Sequence, residues 1–428
     1  MSKIKNVIAR QILDSRGNPT IEVDIITYSN SFGRASVPSG ASKGENEAFE
    51  LRDNEHLFFG KGVIKAVNNV NNIIAPELIG KSILDQTIID NILLNIDGTK
   101  NKTRLGANAI LAVSLAIART ASNKLNIPLY KYLGGVHTNI LPTPLINIVN
   151  GGVHSNAPIA FQEFMIVPMK AKKFSESIHM GHKVFYELKN LVQDRGLSTS
   201  VGDEGGFSPN FNGIEDTLDN ILEAIHISNY EPYDEIGIAI DCAASELYKN
   251  NKYIYSEFKE KEKIQKKSRE EHIHYLSYLI KKYPIISIED GMDQNDWKGW
   301  KMMTDKIGDQ VQLVGDDLFV TQVEILNKGI ENNIANSILI KPNQVGTLKE
   351  TIETIYLARK NKYNSIISHR SGDTEDSFIA DLCVAFNIEQ IKTGSICRSE
   401  RTSKYNQLLR IEEILGNNSY YAGWIKKF

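Results

Sequence analysis

Charge of one sign is missing from this chain of 428 residues: 49 basic residues meet 52 acidic ones, for a formal net charge of −3. No global field would draw it onto nucleic acid or anionic lipid, so any anion it binds must be held locally. Cysteine is scarce too. Cys242, Cys383 and Cys397 are odd in number and far apart, which excludes a disulfide framework and the paired spacing of a zinc site, and fits a reducing cytoplasm. Long apolar runs are lacking: the most apolar helical stretch, LGANAILAVSLAIA, falls short of a membrane span and carries Asn108 and Ser114. MSKIKNVIARQILDSRGN contains no signal-type apolar core. A cytoplasmic protein with no membrane segment is expected. Arginine is the last scarcity, with 13 against 36 lysines, so a cluster of arginines carries information that a cluster of lysines would not.

What is present is ordinary globular composition, with 41% hydrophobic and 24% charged residues, which excludes a mainly disordered chain. The length exceeds what one hydrophobic core supports, so two domains are expected.

In the first third, IKNVIARQIL, TIEVDIITY and FGRASVP read as three strands joined by the turn signals DSRGNP and SNS, an antiparallel meander. Helical spacing follows at about 62–74, 85–96 and 107–124, for instance at Leu111, Leu115 and Ala118. Strands followed by helices make an α+β domain. From about residue 140, PTPLINIV and QEFMIVP come with no helix between them, and two helical stretches follow at about 175–195 and 214–226. Strand and helix then alternate six times, through EIGIAID, IISIED, QLVGDD, SILIK, SIISH and QIKTG. Eight short apolar strands and eight helices are what a closed α/β barrel requires, here with ββαα in place of the first two βα units. The charged stretch KEKEKIQKK at 259–267 reads as a solvated helical insert.

Barrel enzymes carry their chemistry at the C-terminal ends of the strands. These runs end on Asp241, Glu289, Asp316, Lys341, His369 with Arg370, and Lys392, while Glu163 lies in the second run and Asp203 and Glu204 in the loop between the two early helices. A single polar strand end is usually a cap or turn, as at Asp296, but that reading does not account for the whole series. Asp241, Glu289 and Asp316 end three consecutive strands and can converge on a hard cation, for which oxygen ligands without His or Cys favour magnesium over zinc. Pro342 keeps Lys341 extended toward the mouth, where neighbouring cations would leave a share of neutral amine to act as a base. The alternative for Lys341 is a salt bridge to the metal carboxylates. Glu204, flanked by glycines in GDEGG and near Asp203 and Glu163, belongs to a carboxylate cluster that raises at least one pKa and supplies a proton donor. Its alternative is a glycine-rich turn with solvated acids. Arg370 beside Ser371 reads as a bidentate anion clamp, whereas Arg398 and Arg401, at the start of a helix, read better as structural.

These residues lie in runs that closely resemble the enolase family: DSRGNPTIEVD, VPSGAS, NGGVH, QEFMIVP, GDEGGF, DCAASE, SIEDGMDQNDW, QLVGDDLFVT, LIKPNQVGTL, SHRSGDTEDSFIADL and RSERTSKYNQLLRIEE. The similarity extends over nearly the whole chain. The resemblance implies an N-terminal α+β domain with a lid loop over 1–135 and a ββαα(βα)6 TIM-like barrel carrying the active site over 140–428. It implies a hydro-lyase of glycolysis and gluconeogenesis, phosphopyruvate hydratase, which reversibly dehydrates 2-phospho-D-glycerate to phosphoenolpyruvate. Two magnesium ions per site, the second bound with substrate, and a homodimer are implied as well. Carried over by position, Asp241, Glu289 and Asp316 hold the first metal, and Ser42 on the lid helps hold the second. Lys341 becomes the base, Glu204 the proton donor and Glu163 its partner. Gln162 and His154 lie near the substrate, Arg370 and Ser371 meet its phosphate, Lys392 meets its carboxylate, and His369 lines the same edge. Family members can also appear at the bacterial cell surface. A nucleic-acid or RNA-processing partner is left open, because the sequence does not show one.

The chain departs from the family at Lys43, where threonine is usual, and at Ser395-Ile396-Cys397, where Ala-Pro-Ala is more common. Two rival readings stand beside the resemblance. A related sugar-acid dehydratase or racemase would share the metal carboxylates but would not need Arg370, Ser371 and Ser42 for a phosphate. A catalytically silent scaffold would not need the intact catalytic set. The aromatics of YYAGWIKKF are expected to pack on the protein's own body.

Overall fold

The computed structural model describes residues 2–155, 157–255 and 265–424. Three antiparallel strands, Ile4–Leu13, Pro19–Thr27 and Phe32–Ser36, form the expected meander. In the turn between the first two, the Asp14 carboxylate accepts from the backbone N–H groups of Arg16 and Asn18 at 2.8 and 2.9 Å, the local bonding that lets DSRGNP reverse the chain. Helices follow at Ile64–Asn69, Gln86–Asp97 and Ala107–Leu125. The first continues through a π-helical turn, Val70–Ile74, into Ala75–Leu78. Within that turn Asn71 accepts from Ala9 N at 2.8 Å and donates to Ala9 O at 3.1 Å. Both backbone groups on the open edge of the first strand are thereby paired.

Eight strands close into a barrel: Thr143–Asn150, Glu163–Pro168, Ile236–Asp241, Ile285–Glu289, Gln312–Gly315, Ser337–Ile340, Asn364–Ser368 and Gln390–Lys392. The helices Phe174–Asp194 and Gly213–Ile227 precede the alternation, and Arg269–Lys282, Trp297–Ile307, Val323–Glu331, Leu348–Lys360, Phe378–Ala385 and Ser399–Leu415 complete it. Strand direction was not legible beforehand. The second strand runs antiparallel to both neighbours, because its connection from the first holds only a 3-10 turn, Gly152–His154, and no crossover helix. As a result Glu163, the first residue of its strand, lies at the same mouth as the last residues of the others, in register with Asp241.

Leu145, Met165, Val167, Ala239, Ile286, Val314, Leu339 and Ile366 fill the barrel interior from seven strands. The eighth contributes polar residues instead. Its Gln390 exchanges hydrogen bonds with Gln312 at 2.9 and 3.0 Å, and its Lys392 reaches the mouth. Tyr421 donates to Pro168 O at 2.6 Å and Trp424 packs against the interior layer, so these two aromatics do rest on the protein's own body, while Tyr420 is exposed.

The charged stretch 259–267 needs correction. Residues 259–264 lie outside the described residues, and Gln265–Lys267 pairs antiparallel with Lys252–Tyr255 as a strand rather than a helix. Aromatic packing accounts for this, since the Lys267 ammonium lies 4.8 and 4.9 Å from the ring centres of Tyr255 and Tyr275.

Beside this hairpin the fully buried His272 bonds the Tyr255 hydroxyl at 2.7 Å and donates from Nε2 to Gly291 O at 2.7 Å, which steadies the loop after Glu289. Burial pushes its pKa from 6.5 down to about 4. The unfolded imidazole takes its proton near the ordinary value and the folded one only near the lower, so acid favours the unfolded chain between the two. Between pH 7 and pH 5 this residue should remove about 2 kcal/mol of stability. Urea unfolding of His272→Gln should show a correspondingly smaller acid loss than the parent protein, and equal losses would refute the assignment.

Candidate active site

The strand ends and three loops bring Glu163, Glu204, Asp241, Glu289 and Asp316 together with Lys341 and Lys392, all of them enclosed. One cavity of about 20 Å³ is lined by Gln162, Glu163, Glu204, Asp241, Lys341, His369, Arg370, Ser371, Lys392 and the lid residue Ser42. That is room on the scale of one water molecule. The roomier cavities, about 350 and 640 Å³, lie away from these groups, around Arg359 and around Arg119.

Lys392 occupies the centre. Its ammonium stands 3.0 Å from Glu163, 3.1 Å from Asp241 and 2.8 Å from Glu289. Burial opposes its charge, but these carboxylates outweigh burial and hold its pKa well above the ordinary lysine value. Lys341 bonds Asp316 directly, and Gln344 donates to the other Asp316 oxygen at 3.0 Å. Burial again favours the neutral amine, yet Asp316 outweighs it and the Lys341 pKa is raised. The salt bridge to Asp316 is thus the contact that Lys341 makes in this arrangement.

Too little positive charge is available for five carboxyls. Glu289 is pushed well above the usual carboxylate range by burial and then by Asp241. Register explains the crowding, since Glu289 lies opposite Asp241 and Glu163 lies opposite Asp241 from the other side. Asp241, Glu289 and Asp316 do not stand as one tight trio. Two engage Lys392 and the third engages Lys341, while the carboxylates with oxygens within 4.8 Å of one another are Asp290, Asp316 and Asp317. Asp290 accepts from the backbone N–H groups of Asp316 and Asp317 at 2.9 and 2.8 Å, which pins the end of the fifth strand against the fourth. The donor set fits a hard divalent cation: it is all oxygen at the strand ends, and it is crowded enough that Glu289 is pushed toward its neutral form.

On the opposite side Glu163 and Glu204 form a coupled pair. Asn147 donates to both, at 3.2 and 3.1 Å. Burial and the Glu204 charge push Glu163 well up. Burial also works against the Glu204 anion, but the His369 and His154 rings and then Arg401 outweigh it, and Glu204 lies well below the ordinary range. Within the pair, Glu163 is the member whose surroundings favour the neutral form and Glu204 the one whose surroundings favour the anion. His154 Nδ1 is 3.6 Å from Glu204 and His369 Nε2 is 3.5 Å away. Gln162 donates to Asp241 at 3.4 Å.

The lid segment bridges the domains. Ser39 and Gly372 exchange backbone hydrogen bonds at 2.7 and 2.9 Å, and Ala41 N donates to the Ser371 hydroxyl at 2.6 Å. Arg370 grips a carboxylate with both arms of its fork, Glu47 at 3.0 and 3.1 Å, and donates to Ser42 O at 3.0 Å. The fork anticipated to clamp a bound anion is thus engaged by the protein's own Glu47. Lys43 bonds Glu50, which Arg52 also holds at 2.6 Å, so the departing lysine is anchored on the N-terminal domain. In the second departing segment Ser395 N donates to Glu204 O at 2.9 Å and Cys397 Sγ donates to Gly205 O at 3.1 Å, which ties this loop to the one carrying Glu204.

Sequence reasoning missed Asn147, Gln344, Asp290 and Glu47. Gln344 lies inside LIKPNQVGTL and could have been found there, but Asn147 sits within an apolar strand, where nothing local marks it.

Two family models match the chain. One is described as the enolase N-terminal domain and covers residues 4–133, and the other as the enolase C-terminal TIM barrel domain and covers residues 138–427.

Added magnesium should raise the thermal unfolding midpoint, by the equivalent of about 2.7 kcal/mol at a hundredfold excess over its dissociation constant. Glu289→Gln should weaken this response, because it removes one anionic oxygen ligand from the cation's site. An unchanged magnesium response in that variant would remove Glu289 from the metal set.

Proposed function

The chain belongs to the enolase family, and on that basis we propose that it reversibly dehydrates 2-phospho-D-glycerate to phosphoenolpyruvate with magnesium, as a homodimer in the cytoplasm. Among the described residues no helix is long and apolar enough to cross a membrane. The observation that carries the reading is the convergence, on one enclosed cavity, of a lysine, a proton-sharing carboxyl pair and a two-armed arginine. That arginine, with Ser371, favours a phosphorylated substrate over a plain sugar acid. A lysine base working beside magnesium is a recognised feature of enolase-superfamily sites, and the residues gathered here match that pattern.

The reaction needs a proton taken from carbon beside a carboxylate, where its loss adds charge to an anion, and then needs hydroxide to leave. Asp241, Glu289 and Asp316, with Ser42 from the lid, would hold magnesium, which would supply stabilisation of negative charge on the substrate carboxylate. Lys341 is the base in this reading, and must first give up the proton it now shares with Asp316. Lys392 meets the substrate carboxylate. Arg370 exchanges Glu47 for the phosphate, which it can do because both are planar or tetrahedral oxyanions of matching reach. Glu163 stores the proton and Glu204 delivers it to the departing hydroxyl, with His154, Gln162 and His369 enclosing the pair.

Phosphoenolpyruvate absorbance should rise from 2-phosphoglycerate with magnesium and stop with excess chelator. A protein inert in this assay would leave the scaffold reading. Lys341→Ala should abolish exchange of the substrate's carbon-bound proton with solvent, whereas Glu204→Gln should retain exchange and lose dehydration. Equal loss of exchange in both would undo the division of roles.

Lys43 is anchored to Glu50 with its side chain 44% exposed, so screening should leave a small effect on lid closure. Lys43→Thr is expected to change the magnesium concentration for half activity by less than about tenfold, the equivalent of 1.4 kcal/mol. A larger shift that persists at high salt would place Lys43 in the closed site.

A further inference from the structure

Arg401, on the helix Ser399–Leu415, is completely buried. A buried guanidinium is costly unless its donors are paired, and the pairing here is unusual because no carboxylate takes a close hydrogen bond from it. Asp373 and Glu400 stand 3.8 and 3.4 Å away. The donors go to the rim of the site instead. Nη1 meets Nδ1 of His369 at 2.6 Å and Arg370 O at 2.5 Å, and Nη2 meets Ser371 O at 2.6 Å and Asp203 O at 3.1 Å. Arg401 thus ties together the loop before Glu204 and the segment that carries His369, Arg370 and Ser371. Gly394 lies where these pieces cross. Its φ is +77°, and a Cβ there would come within 2.8 Å of Arg401 Cδ, 2.9 Å of Glu204 O and 3.0 Å of His369 Cε1.

A guanidinium has donors only and keeps its charge, so Nδ1 of His369 must accept and bear no proton. The neutral ring then carries its proton on Nε2, the nitrogen 3.5 Å from Glu204. We propose that Arg401 is a positioning residue of the reaction, fixing His369 as the neutral Nε2–H tautomer so that the ring offers Glu204 a donor and never takes its proton. This inference rests on the reading of Glu204 as the acid. The opposite tautomer would point a bare lone pair at Glu204 and compete for the proton that dehydration needs. A cationic ring would strengthen the hold that the neighbouring rings already have on the Glu204 anion. Glu204 and Asp373 favour protonation of the ring, with Lys404 neutralising Asp373 at 2.8 Å and His154, Glu163 and Lys392 facing Glu204 from beyond. Burial and Arg401 prevail over these, and the ring's pKa falls to about 4.

The test is nitrogen NMR of the full protein labelled at its nine histidines, with the His369 signals identified by their loss in His369→Gln. The expected result is a proton on Nε2, none on Nδ1, and no titration of the ring down to about pH 5. In Arg401→Met, which keeps the stem and removes the donors, the ring should titrate closer to its ordinary value. The acid limb of kcat should then move up by about one pH unit or more, with a smaller change in KM. Arg401→Lys should restore the low titration by its charge but not the fixed tautomer. A wild-type ring protonated on Nδ1, or one titrating near 6.5, overturns the proposal even if Arg401→Met cannot fold. A kcat profile for Arg401→Met that superimposes on the parent's also overturns it. The spectra report the ring whether or not the protein makes phosphoenolpyruvate, so a failed tautomer is distinguishable from a failed function.

Discussion

Five carboxyls buried at one barrel mouth repel one another and resist losing their water, and most of the surrounding structure answers that constraint. Lys392 sits among Glu163, Asp241 and Glu289, and Lys341 on Asp316. Asn147 spans Glu163 and Glu204, and backbone donors steady Asp290 behind the fourth and fifth strands. Two ammonium groups still do not offset five carboxylates, so Glu163 and Glu289 are forced toward their neutral forms. A site that holds excess negative charge in a low-dielectric mouth is suited to a divalent cation and to a stored proton.

The barrel supplies that crowding through an irregularity in its topology. In a uniformly parallel barrel the second strand would present its last residue at the mouth, which here is Pro168 at the far end. Because the short first connection reverses the strand, Glu163 enters at the mouth opposite Asp241. Glu163 stands beside Glu204 because of that reversal.

Both departures from the family pattern fall on loops that touch the site through backbone groups or from a distance. Lys43 reaches Glu50 on the N-terminal domain, while Ser395 and Cys397 hold the backbone of the Glu204 loop. Beside the residues that the sequence had singled out, Gly40 and Ser368 line the cavity.

The sequence by itself determined the count of strands and helices, because each barrel strand is a short apolar run closed by a polar residue, and that pattern is local. It also pointed to the polar strand ends that gather at the mouth, since strand ends in a barrel share one rim, but not to Asn147 or Gln344, which bond to them there. Only the tertiary structure decided how these groups pair. Whether Lys341 stands free or bound to Asp316, and which member of the Glu163 and Glu204 pair holds the proton, depends on distances between residues far apart in the chain. The role of Arg401 was hidden for the same reason. Read locally it starts a helix, and its four acceptors come from two other segments that folding alone brings around it.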